Sequence, residues 1–301
     1  MIPINVFAVV VTYHPDREKL LRLLDSLTPQ VARVVVIDNG SSPETLNWIA
    51  GYRSTTPLEL IALRENRGIA AAQNAGIAHL RSLHAEYVIL FDHDSVPAPD
   101  MVRRLWEAAE AKCAEGVAVA AMGPRYLDER QDNPPPFIRV EGIRVERQSC
   151  AAPDSVVEVS YLIASGCLIP MRVLDVVGDM KEDLFIDYVD IEWGLRARQK
   201  GFRSFGVCGA TMGHDLGDQP IRFLNRKIPL HSPLRHYYHF RNAIWLYGQS
   251  ELPLHWKIAD GWRLLLKYGF YTLFARPRQR HWWMMTKGVC HGLAGRMGKY
   301  S

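Results

Sequence analysis

The first 114 residues alternate between strand-length apolar runs and helical segments, and this alternation limits the possible folds more than any other feature. The run VFAVVV at 6–11 is continuous and rich in β-branched residues, which is typical of a strand buried on both faces of a parallel sheet. Leucines then recur at helical spacing up to Leu27. Strand and helix repeats of this length predict a parallel sheet with right-handed crossovers, flanked by helices.

The same reasoning extends along most of the chain. We predict strands at 6–11, 31–37, 58–63 and 87–90, and helices at 16–27, from Pro43 with Ser42 as N-cap, at 69–83 and from Pro99 to 114. Beyond 124 the alternation breaks, and the composition predicts a long loop over 128–136 and a hairpin over 137–147, inserted above the sheet. Further strands at 161–170 and 202–207 and helices at 187–200 and 232–247 complete the predicted domain.

Polar residues follow the end of each of the first four predicted strands. They are Thr12 and Tyr13, Asp38, Asn66 and Gly68, and Asp92 and Asp94. Each of these residue types is also common in turns for purely local reasons. Because the carboxyl ends of parallel strands share one edge of a sheet, we expect these side chains to line one ligand crevice.

The sequence FDHDS at 91–95 places two carboxylates, Asp92 and Asp94, directly after a buried strand. Many Asp-X-Asp triplets are solvated turns or helix caps. Two carboxylates in a tight turn can also face one hard divalent cation, which in turn neutralises the phosphates of a nucleotide. In this setting the motif predicts a Mg²⁺ or Mn²⁺ site beside a nucleotide.

Length and cysteine content narrow the class of protein. A chain of 301 residues with 48% hydrophobic residues can form one large α/β domain or two small ones. The five cysteines include no Cys-X-X-Cys pair, which argues against a disulfide framework and a zinc ribbon and favours reduced thiols. The start lacks the features of a secretion signal, and no segment reaches the roughly 20 apolar residues of a membrane span. We therefore expect a cytoplasmic protein.

The C-terminal tail, residues 251–301, differs in charge from the rest of the chain. From residue 254 onward it carries nine Lys or Arg and one acidic residue, whereas the first 253 residues carry 27 basic and 31 acidic residues. Tryptophans interleaved with these bases suit the interface of an anionic bilayer. The alternative is a helix docked on the domain or on a second subunit of a homo-oligomer. Nucleic acid is not expected as a partner, because the body is acidic and lacks a binding motif.

Several ordered motifs resemble family 2 glycosyltransferases with the GT-A fold. The donor-binding half of that family is similar to VVTYHP at 10–15, VIDNGS at 36–41, NRG at 66–68 and FDHDS at 91–95. Its bacterial rhamnosyltransferases, which use dTDP-L-rhamnose, are similar to FIDYVDIEW at 185–193, MGH at 212–214, LGD at 216–218 and HSPLRHYYHFRN at 231–242. The resemblance implies a Rossmann-like, mostly parallel sheet flanked by helices, with a helical C-terminal extension.

The resemblance also implies how the crevice would hold the donor. Asp38 would accept a hydrogen bond from the N3–H of thymine, while Thr12 and Tyr13 would border the nucleoside. Asp38 could alternatively cap a helix. Arg67 and Gly68 would lie near the diphosphate, where glycine allows a close backbone approach, and Asn66 would also belong to the donor-binding residues.

The same resemblance places the sugar and the metal. Asp92 would contact the ribose or orient the metal shell, and His93, where the rhamnosyl branch often has Gln, would face the sugar. Asp94 would bind Mg²⁺ or Mn²⁺ directly. His214 would complete the metal shell, and an imidazole ligand suits Mn²⁺ better than Mg²⁺.

The acidic motif at 187–193 would carry the chemistry. Aligning Glu192 and Arg196 with the family pattern puts Asp190 at the catalytic aspartate, the base that deprotonates the acceptor hydroxyl during inversion. The acidic residues could also stabilise the first turn of a helix. The candidates for acceptor or phosphate contacts are Gly166, Asp187, Glu192, Trp193, Arg235, Tyr238 and Arg241.

These features lead to one expected activity and two alternatives. We expect a GT-A domain over 1–250, with a donor half at 1–123 and an acceptor half at 124–250, followed by the tail. It would transfer L-rhamnose from dTDP-L-rhamnose to a glycan or lipid-linked acceptor at the cytoplasmic face of the membrane. The alternatives are a transferase that uses another donor, such as a UDP-sugar, and a non-catalytic nucleotide-binding scaffold.

Overall fold

A computed structural model describes residues 5–127, 137–142, 144–214, 221–223, 226–228 and 230–300. The predicted loop over 128–136 and the LGD segment at 216–218 lie outside these residues.

The first half of the chain forms alternating strands and helices, as predicted. Its elements are β1 (Val6–Thr12), α1 (Arg17–Leu27), β2 (Arg33–Asp38), α2 (Pro43–Ala50), β3 (Leu58–Ala62), α3 (Ile69–Ser82), β4 (Tyr87–Asp92), β5 (Ser95–Pro97), α4 (Met101–Ala114) and β6 (Val119–Leu127). The Ser42 side chain accepts a hydrogen bond from the Thr45 backbone N–H at 3.3 Å, so the predicted N-cap of α2 is confirmed.

The second half begins with the predicted hairpin and ends in three long helices. Its elements are β7 (Phe137–Glu141), β8 (Arg144–Gln148), β9 (Val156–Val159), β10 (Cys167–Pro170), α5 (Met171–Val177), α6 (Val189–Gln199), β11 (Arg203–His214), β12 (Ile221–Phe223), β13 (Arg226–Ile228), α7 (Pro233–Tyr247), α8 (Leu254–Phe274) and α9 (Arg278–Leu293). Short 3₁₀ turns lie at Thr28–Gln30 and Glu182–Leu184.

One mixed sheet organises the domain, with the strand order β3-β2-β1-β4-β10-β6-β11-β5 and with β9 paired to β11. The strands β1 to β4 pair in parallel, which confirms the predicted crossovers. In the second half, β10 lies antiparallel between β4 and β6. The structure therefore has the predicted α/β architecture, with a parallel half and a mixed half joined along β4 and β10.

Side chains alternate between two hydrophobic cores, one on each face of the sheet. Val9 and Val11 enter the core formed with α3, α5 and α6, whereas Ala8 and Val10 enter the core formed with α1 and α4. Both faces of β1 are buried, which explains why its sequence is a continuous apolar run rather than an alternating one.

The tail packs on α7 along one face. A third core contains Phe240, Trp256, Tyr271 and Met285 from α7, α8 and α9. Helix α9 approaches α7 so closely that a Cβ atom at Gly288 would lie 2.5 Å from the carbonyl oxygen of Tyr237. One face of the tail is therefore docked on the domain, which was one of the two alternatives from the sequence.

The cysteines differ in part from the prediction. Cys150 and Cys208 form a disulfide, so the expectation of reduced thiols is wrong for this pair. The two residues are 58 positions apart, and their proximity arises from the fold rather than from any local spacing motif. Cys113, Cys167 and Cys290 are free thiols.

Candidate functional site

The strand register brings the polar residues of the first half to one edge of the sheet. Thr12 lies beside Asp38, and Val11 lies beside Asp92. The carboxyl ends of β1, β2 and β4 therefore meet, as predicted. Tyr13 lies at the rim of this edge and is exposed.

Asp38 is fully buried and shapes the loop after β2. Its Oδ2 accepts a hydrogen bond from the Thr12 hydroxyl at 2.9 Å, and its Oδ1 accepts from the backbone N–H groups of Gly40 and Ser41 at 3.1 and 2.8 Å. The helix-cap alternative for Asp38 is wrong, because Ser42 caps α2. A carboxylate has about four acceptor positions, so Asp38 retains capacity for one further donor.

Asn39 is a site residue that sequence reasoning missed. Its Oδ1 accepts from the Arg67 N–H at 2.8 Å, and its Nδ2 donates to Asn66 Oδ1 at 3.2 Å. It thereby joins the loop after β2 to the loop after β3. The available signal was its place in Asp-Asn-Gly directly after a buried strand.

Gly68 contacts the acidic motif. Its φ is +91°, and a Cβ atom there would lie 2.6 Å from the carbonyl oxygen of Phe185. The same oxygen accepts a hydrogen bond from the N–H of Ile69 at 2.7 Å, in the first turn of α3. Glycine is therefore required here for contact between the two halves of the domain, while Arg67 beside it is exposed.

Ser165 braces the Asp92-His93-Asp94 turn, and this role was not predicted. Its hydroxyl accepts from the Asp92 N–H at 3.1 Å and hydrogen-bonds the Ser95 hydroxyl at 2.7 Å. Both serines are fully buried, whereas the three residues of the turn are partly exposed.

Gly166 is buried, so its predicted acceptor contact needs correction. With φ at +73°, a Cβ atom at this position would lie 2.7 Å from Pro124 Cγ. Its N–H donates to the Leu90 carbonyl at 2.6 Å. Gly166 therefore packs inside the domain behind β4 rather than against an acceptor.

The backbones of the two predicted metal ligands, Asp94 and His214, lie close together. Strand β5 runs antiparallel to β11, and their register sets Ser95 opposite His214. Asp94 is thus one residue from the position facing His214. Among the side chains that the structure describes, which do not include that of His214, no three His, Cys, Asp or Glu residues are grouped as a metal site.

The segment before α6 has an unusual backbone. Phe185, Asp187 and Tyr188 have φ angles of 64°, 63° and 66°, although none of them is glycine. Each residue in this left-handed region costs about 1–3 kcal/mol unless the surroundings hold it there. Strain of this kind is found mainly at functional sites.

Two buried side chains of α7 hold this segment in place. Asn242 Nδ2 lies 2.8, 2.8 and 2.9 Å from the carbonyl oxygens of Leu184, Ile186 and Asp187. Arg241 donates to the carbonyl oxygens of Asp183 and Leu184 at 3.2 and 3.0 Å. We call this arrangement of Arg241 and Asn242 the carbonyl clamp.

The clamp corrects two predicted acceptor or phosphate contacts. Arg241 is only 1% exposed, and its guanidinium donates to Asn242 Oδ1 and to the carbonyl oxygens of Asp183, Leu184 and Gly298, so it positions the acidic motif. Tyr238 stacks on Phe185 with ring centroids 4.9 Å apart, and its hydroxyl accepts from the Tyr300 N–H at 2.8 Å. Both residues support the site from behind.

Glu192 and Trp193, predicted to contact the acceptor, both make structural contacts. Buried Glu192 forms an ion pair with Arg196 at 2.8 Å, and Arg196 donates to the Val177 carbonyl at 2.6 Å. The Trp193 indole N–H donates to the Gly178 carbonyl at 2.9 Å. These contacts attach α6 to the segment after α5.

Asp187 faces the cleft between the acidic motif and α7. Arg235, in the first turn of α7, approaches its Oδ1 at 3.2 Å. The side chains of Asp187 and Arg235 are 15% and 41% exposed, so this pair, unlike the clamp, can be reached by a ligand.

Asp190 lies in the first turn of α6, where its Oδ1 accepts from the Ile191 N–H at 2.9 Å. It lines a small cavity of about 20 Å³ together with Leu90, Cys167 and Trp193. Burial above all, together with the nearby carboxylates of Asp187 and Asp92, raises the pKa of Asp190 to about 6, although the hydrogen bond from the Ile191 N–H acts in the opposite direction. A carboxylate with this pKa is suited to accept a proton near neutral pH.

Comparison with known proteins agrees with this geometry. Residues 8–160 match the family described as glycosyl transferase family 2. The chain is 34% identical over 255 residues to the dTDP-rhamnosyl transferase RfbF of Shigella flexneri, covering 83% of this chain and 82% of that protein. The chain belongs to glycosyl transferase family 2. The predicted family and the predicted enzyme class, a glycosyltransferase, are thereby confirmed.

Two further comparisons cover nearly the whole glycosyltransferase. It is 26% identical over 292 residues to the galactofuranosyltransferase GlfT1 of Mycolicibacterium smegmatis, covering 90% of each chain. The crystal structure of GalNAc-T7 with UDP, GalNAc and Mn²⁺ matches 97% of this chain and 56% of that chain, with a TM-score of 0.61 and 12% identity. The fold is GT-A-like, as predicted.

The raised pKa of Asp190 predicts a pH-dependent effect on stability. Its folded-state pKa of about 6 lies above the ordinary value of 3.8. Above about pH 6 the carboxylate is ionised in both states and the folded state bears the full cost of the shift, about 3 kcal/mol. Below about pH 4 both states are protonated and the cost disappears. We expect Asp190→Asn to be more stable than the wild type at pH 7–8 by up to about 3 kcal/mol, and equally stable below about pH 4.

Urea unfolding over this pH range measures the difference. Asp183→Asn is the matched control, because Asp183 is exposed on the same segment and undergoes the same chemical change. A stability gain for Asp190→Asn that does not change with pH would contradict the assignment of the raised pKa to Asp190.

Proposed function

We propose that this glycosyltransferase transfers L-rhamnose from dTDP-L-rhamnose to a hydroxyl group of a glycan or lipid-linked acceptor, with inversion, in the synthesis of a cell-surface polysaccharide or glycolipid. The donor assignment is supported by the match to RfbF, which extends over more than four fifths of both chains. The observation that carries the chemistry is that Asp190, from the second half of the domain, lines a small cavity together with Leu90 of β4, two residues before Asp92 in the first half.

The edge of β1 and β2 would bind the nucleoside. Asp38 already accepts three hydrogen bonds, and its remaining acceptor position suits the N3–H of thymine. Thr12 orients this carboxylate, and exposed Tyr13 borders the nucleoside. Asn66, Arg67 and Gly68 would lie near the diphosphate, and exposed Arg67 has the side chain best able to reach it.

Asp92, His93 and Asp94 would face the ribose, the sugar and a divalent cation. Two carboxylates and one imidazole would be a donor set that suits Mn²⁺ or Mg²⁺, and the pairing of β5 with β11 brings the backbones of Asp94 and His214 close together. When bound, such an ion would supply Lewis-acid stabilisation to the departing dTDP. Asp94 and His214 would hold it.

Asp190 would be the general base. It would take the proton of the acceptor hydroxyl as that oxygen forms a bond to the anomeric carbon and the bond from this carbon to the diphosphate oxygen breaks. Asp187 and Arg235 would border the acceptor. Asp190 needs to be ionised for this step, so its pKa of about 6 allows the reaction at neutral pH.

A different nucleotide sugar is the second candidate for the donor. GlfT1, the relative matched over 90% of both chains, is a galactofuranosyltransferase, so the shared architecture also accommodates another sugar. A panel of dTDP-L-rhamnose and UDP-sugars, tested for thermal shift and for release of the nucleotide, distinguishes the two candidates. A scaffold without catalysis would release nucleotide from none of them.

Two substitutions separate donor binding from catalysis. Asp94→Ala should abolish the dependence of dTDP affinity on Mg²⁺ or Mn²⁺ while the fold remains intact. Asp190→Asn should retain dTDP affinity but lower the rate of transfer by about two or more orders of magnitude, the usual scale for a general base.

Asp183→Asn again serves as the control and should transfer at the wild-type rate, since Asp183 is exposed. Unchanged metal-dependent affinity in Asp94→Ala would refute its role as a ligand. Transfer by Asp190→Asn at nearly the normal rate would exclude it as the base.

We also propose that the tail attaches the enzyme to the cytoplasmic face of the inner membrane. Within the described ranges, no helix combines the length and apolar character needed to cross a bilayer. However, the side of α8 and α9 turned away from α7 leaves large apolar residues exposed. These are Leu254, Ile258, Trp262, Leu265, Leu266, Leu273, Phe274, Trp282 and Trp283.

Charge favours an anionic bilayer over a second copy of the chain as the partner of this apolar face. From residue 254 onward the tail carries nine basic residues and one acidic residue, so two copies would repel each other. Each base near an anionic surface contributes about 1 kcal/mol, and the exposed tryptophans suit the headgroup region.

Point substitutions test this attachment better than truncation, because removing the tail would expose the core around Trp256. Trp262→Glu and Leu266→Glu, at positions 63% and 55% exposed, should abolish co-sedimentation with vesicles of phosphatidylcholine and phosphatidylglycerol at low salt. Val176→Glu, 55% exposed on α5, should bind like the wild type. If the wild type ignores the vesicles and Trp262→Glu instead dissociates a dimer, the apolar face is a subunit interface.

A further inference from the structure

The cleft beside the acidic motif is lined by basic side chains from two helices. Arg235 and His239 lie one turn apart on α7, and Arg263 and Lys267 lie one turn apart on α8. The Lys267 ammonium is 3.1 Å from His239 Nε2, and the His239 ring lies 4.9 Å from the Tyr188 ring. We call these four residues the basic cluster.

Among the residues that the structure describes, the cationic side chains of this cluster outnumber the carboxylates beside them. Arg235, Arg263 and Lys267 face two carboxylates, those of Asp187 and Asp260. Asp187 is paired with Arg235, and Asp260 Oδ2 accepts from the hydroxyls of Tyr188 and Tyr247 at 2.8 and 2.6 Å. Neither Arg263 nor Lys267 forms an ion pair with an acid in the part of the chain that the structure describes.

Lys267 is exposed, and its ammonium contacts the His239 ring. Because an ammonium only donates, His239 Nε2 must be the acceptor in their contact. Loss of surrounding water lowers the pKa of Lys267, and the carboxylates of Asp260 and Asp187 act in the opposite direction. A partly desolvated cation without a paired carboxylate is stabilised when an anion binds.

The cluster is next to the proposed base. Tyr188, which contacts both His239 and Asp260, is two residues from Asp190. Arg263 and Asp190 also both act on the pKa of Tyr161, which burial raises. An acceptor whose hydroxyl reaches Asp190 would therefore extend over Tyr161 and Tyr188 toward the two basic residues of α8.

The exposed apolar face of α8 begins at the same place. Trp262 and Leu266, 63% and 55% exposed, immediately precede Arg263 and Lys267. A ligand held by these two cations would thus lie at the boundary between a polar cleft and an apolar surface. This boundary suits a molecule with an anionic group followed by a hydrocarbon chain.

We propose that Arg263 and Lys267, together with Arg235, bind a phosphate group of the acceptor, so that the acceptor is a phosphate-bearing molecule, with a lipid-linked phosphate as the best fit. This proposal rests on the proposed function, since it assigns the acceptor of that reaction. Arg263 and Lys267 would orient the acceptor hydroxyl toward Asp190 without taking part in proton transfer.

Binding to defined vesicles tests the proposal. Neutral phosphatidylcholine vesicles carrying a polyprenyl phosphate are compared with vesicles carrying the matching polyprenol. The wild type should bind the phosphate vesicles more tightly. Lys267→Gln and Arg263→Gln should each weaken this binding about tenfold or more, the scale of one lost charge-assisted hydrogen bond. Lys267→Arg, which retains the charge, should restore it.

Arg22→Gln is the matched control, because it removes one exposed positive charge from α1, outside both the cluster and the tail, and should bind like the wild type. Inorganic phosphate added as a competitor identifies the source of the anion. If inorganic phosphate binds far more weakly than the phosphate vesicles, the anion is a lipid-linked phosphate. If the two bind equally well, the anion is a phosphate on a soluble glycan. Under either outcome, the proposal requires that Lys267→Gln weaken the binding.

Equal binding of phosphate and polyprenol vesicles, or full binding by both Gln variants, would overturn the proposal. Affinity for dTDP is measured in parallel and should be the same in all variants. If the wild type does not bind dTDP, the proposed function is wrong. If it binds dTDP but the Gln variants bind the phosphate vesicles as well as the wild type does, only the phosphate subsite is wrong.

Discussion

The site depends on the contact between the carbonyl clamp and the strained segment before α6. Three non-glycine residues in left-handed conformations, at about 1–3 kcal/mol each, would relax if nothing held them. Arg241 and Asn242 hold the segment by donating to four of its carbonyl oxygens. The start of α6, and with it Asp190, is therefore fixed by a helix more than 40 residues later in the chain.

Other contacts connect this segment to the rest of the molecule. Phe185 meets Gly68 and Ile69 of the donor half, so the start of α3 and the acidic motif share one backbone contact. Ser165 braces the Asp92 turn from the second half. Tyr188 donates to Asp260 of α8, which joins the tail to the same motif. The donor site, the proposed base and the tail thus form one connected unit rather than independent modules.

The sequence predicted the elements whose causes are local and missed those whose causes are not. The β-branched run of β1 and the Ser42 cap follow from neighbouring residues alone. Arg241 and Asn242 were placed correctly on a helix, but a helical position does not reveal whether its face meets solvent or buried carbonyls. Likewise, Trp256 and Trp262 are the same residue type on one helix, and only packing makes one buried and the other 63% exposed. The pairing of Cys150 with Cys208 depends on the fold in the same way.

The central claim is that the two halves of the domain present Asp94 and Asp190 to one donor. A crystal structure with dTDP and Mn²⁺, using the anomalous signal of manganese, tests it most directly. We expect manganese between Asp94 and His214, thymine against Asp38, and the diphosphate facing Asp190 across the crevice. Manganese bound away from Asp94, or a nucleotide bound away from the edge of β1 and β2, would contradict it.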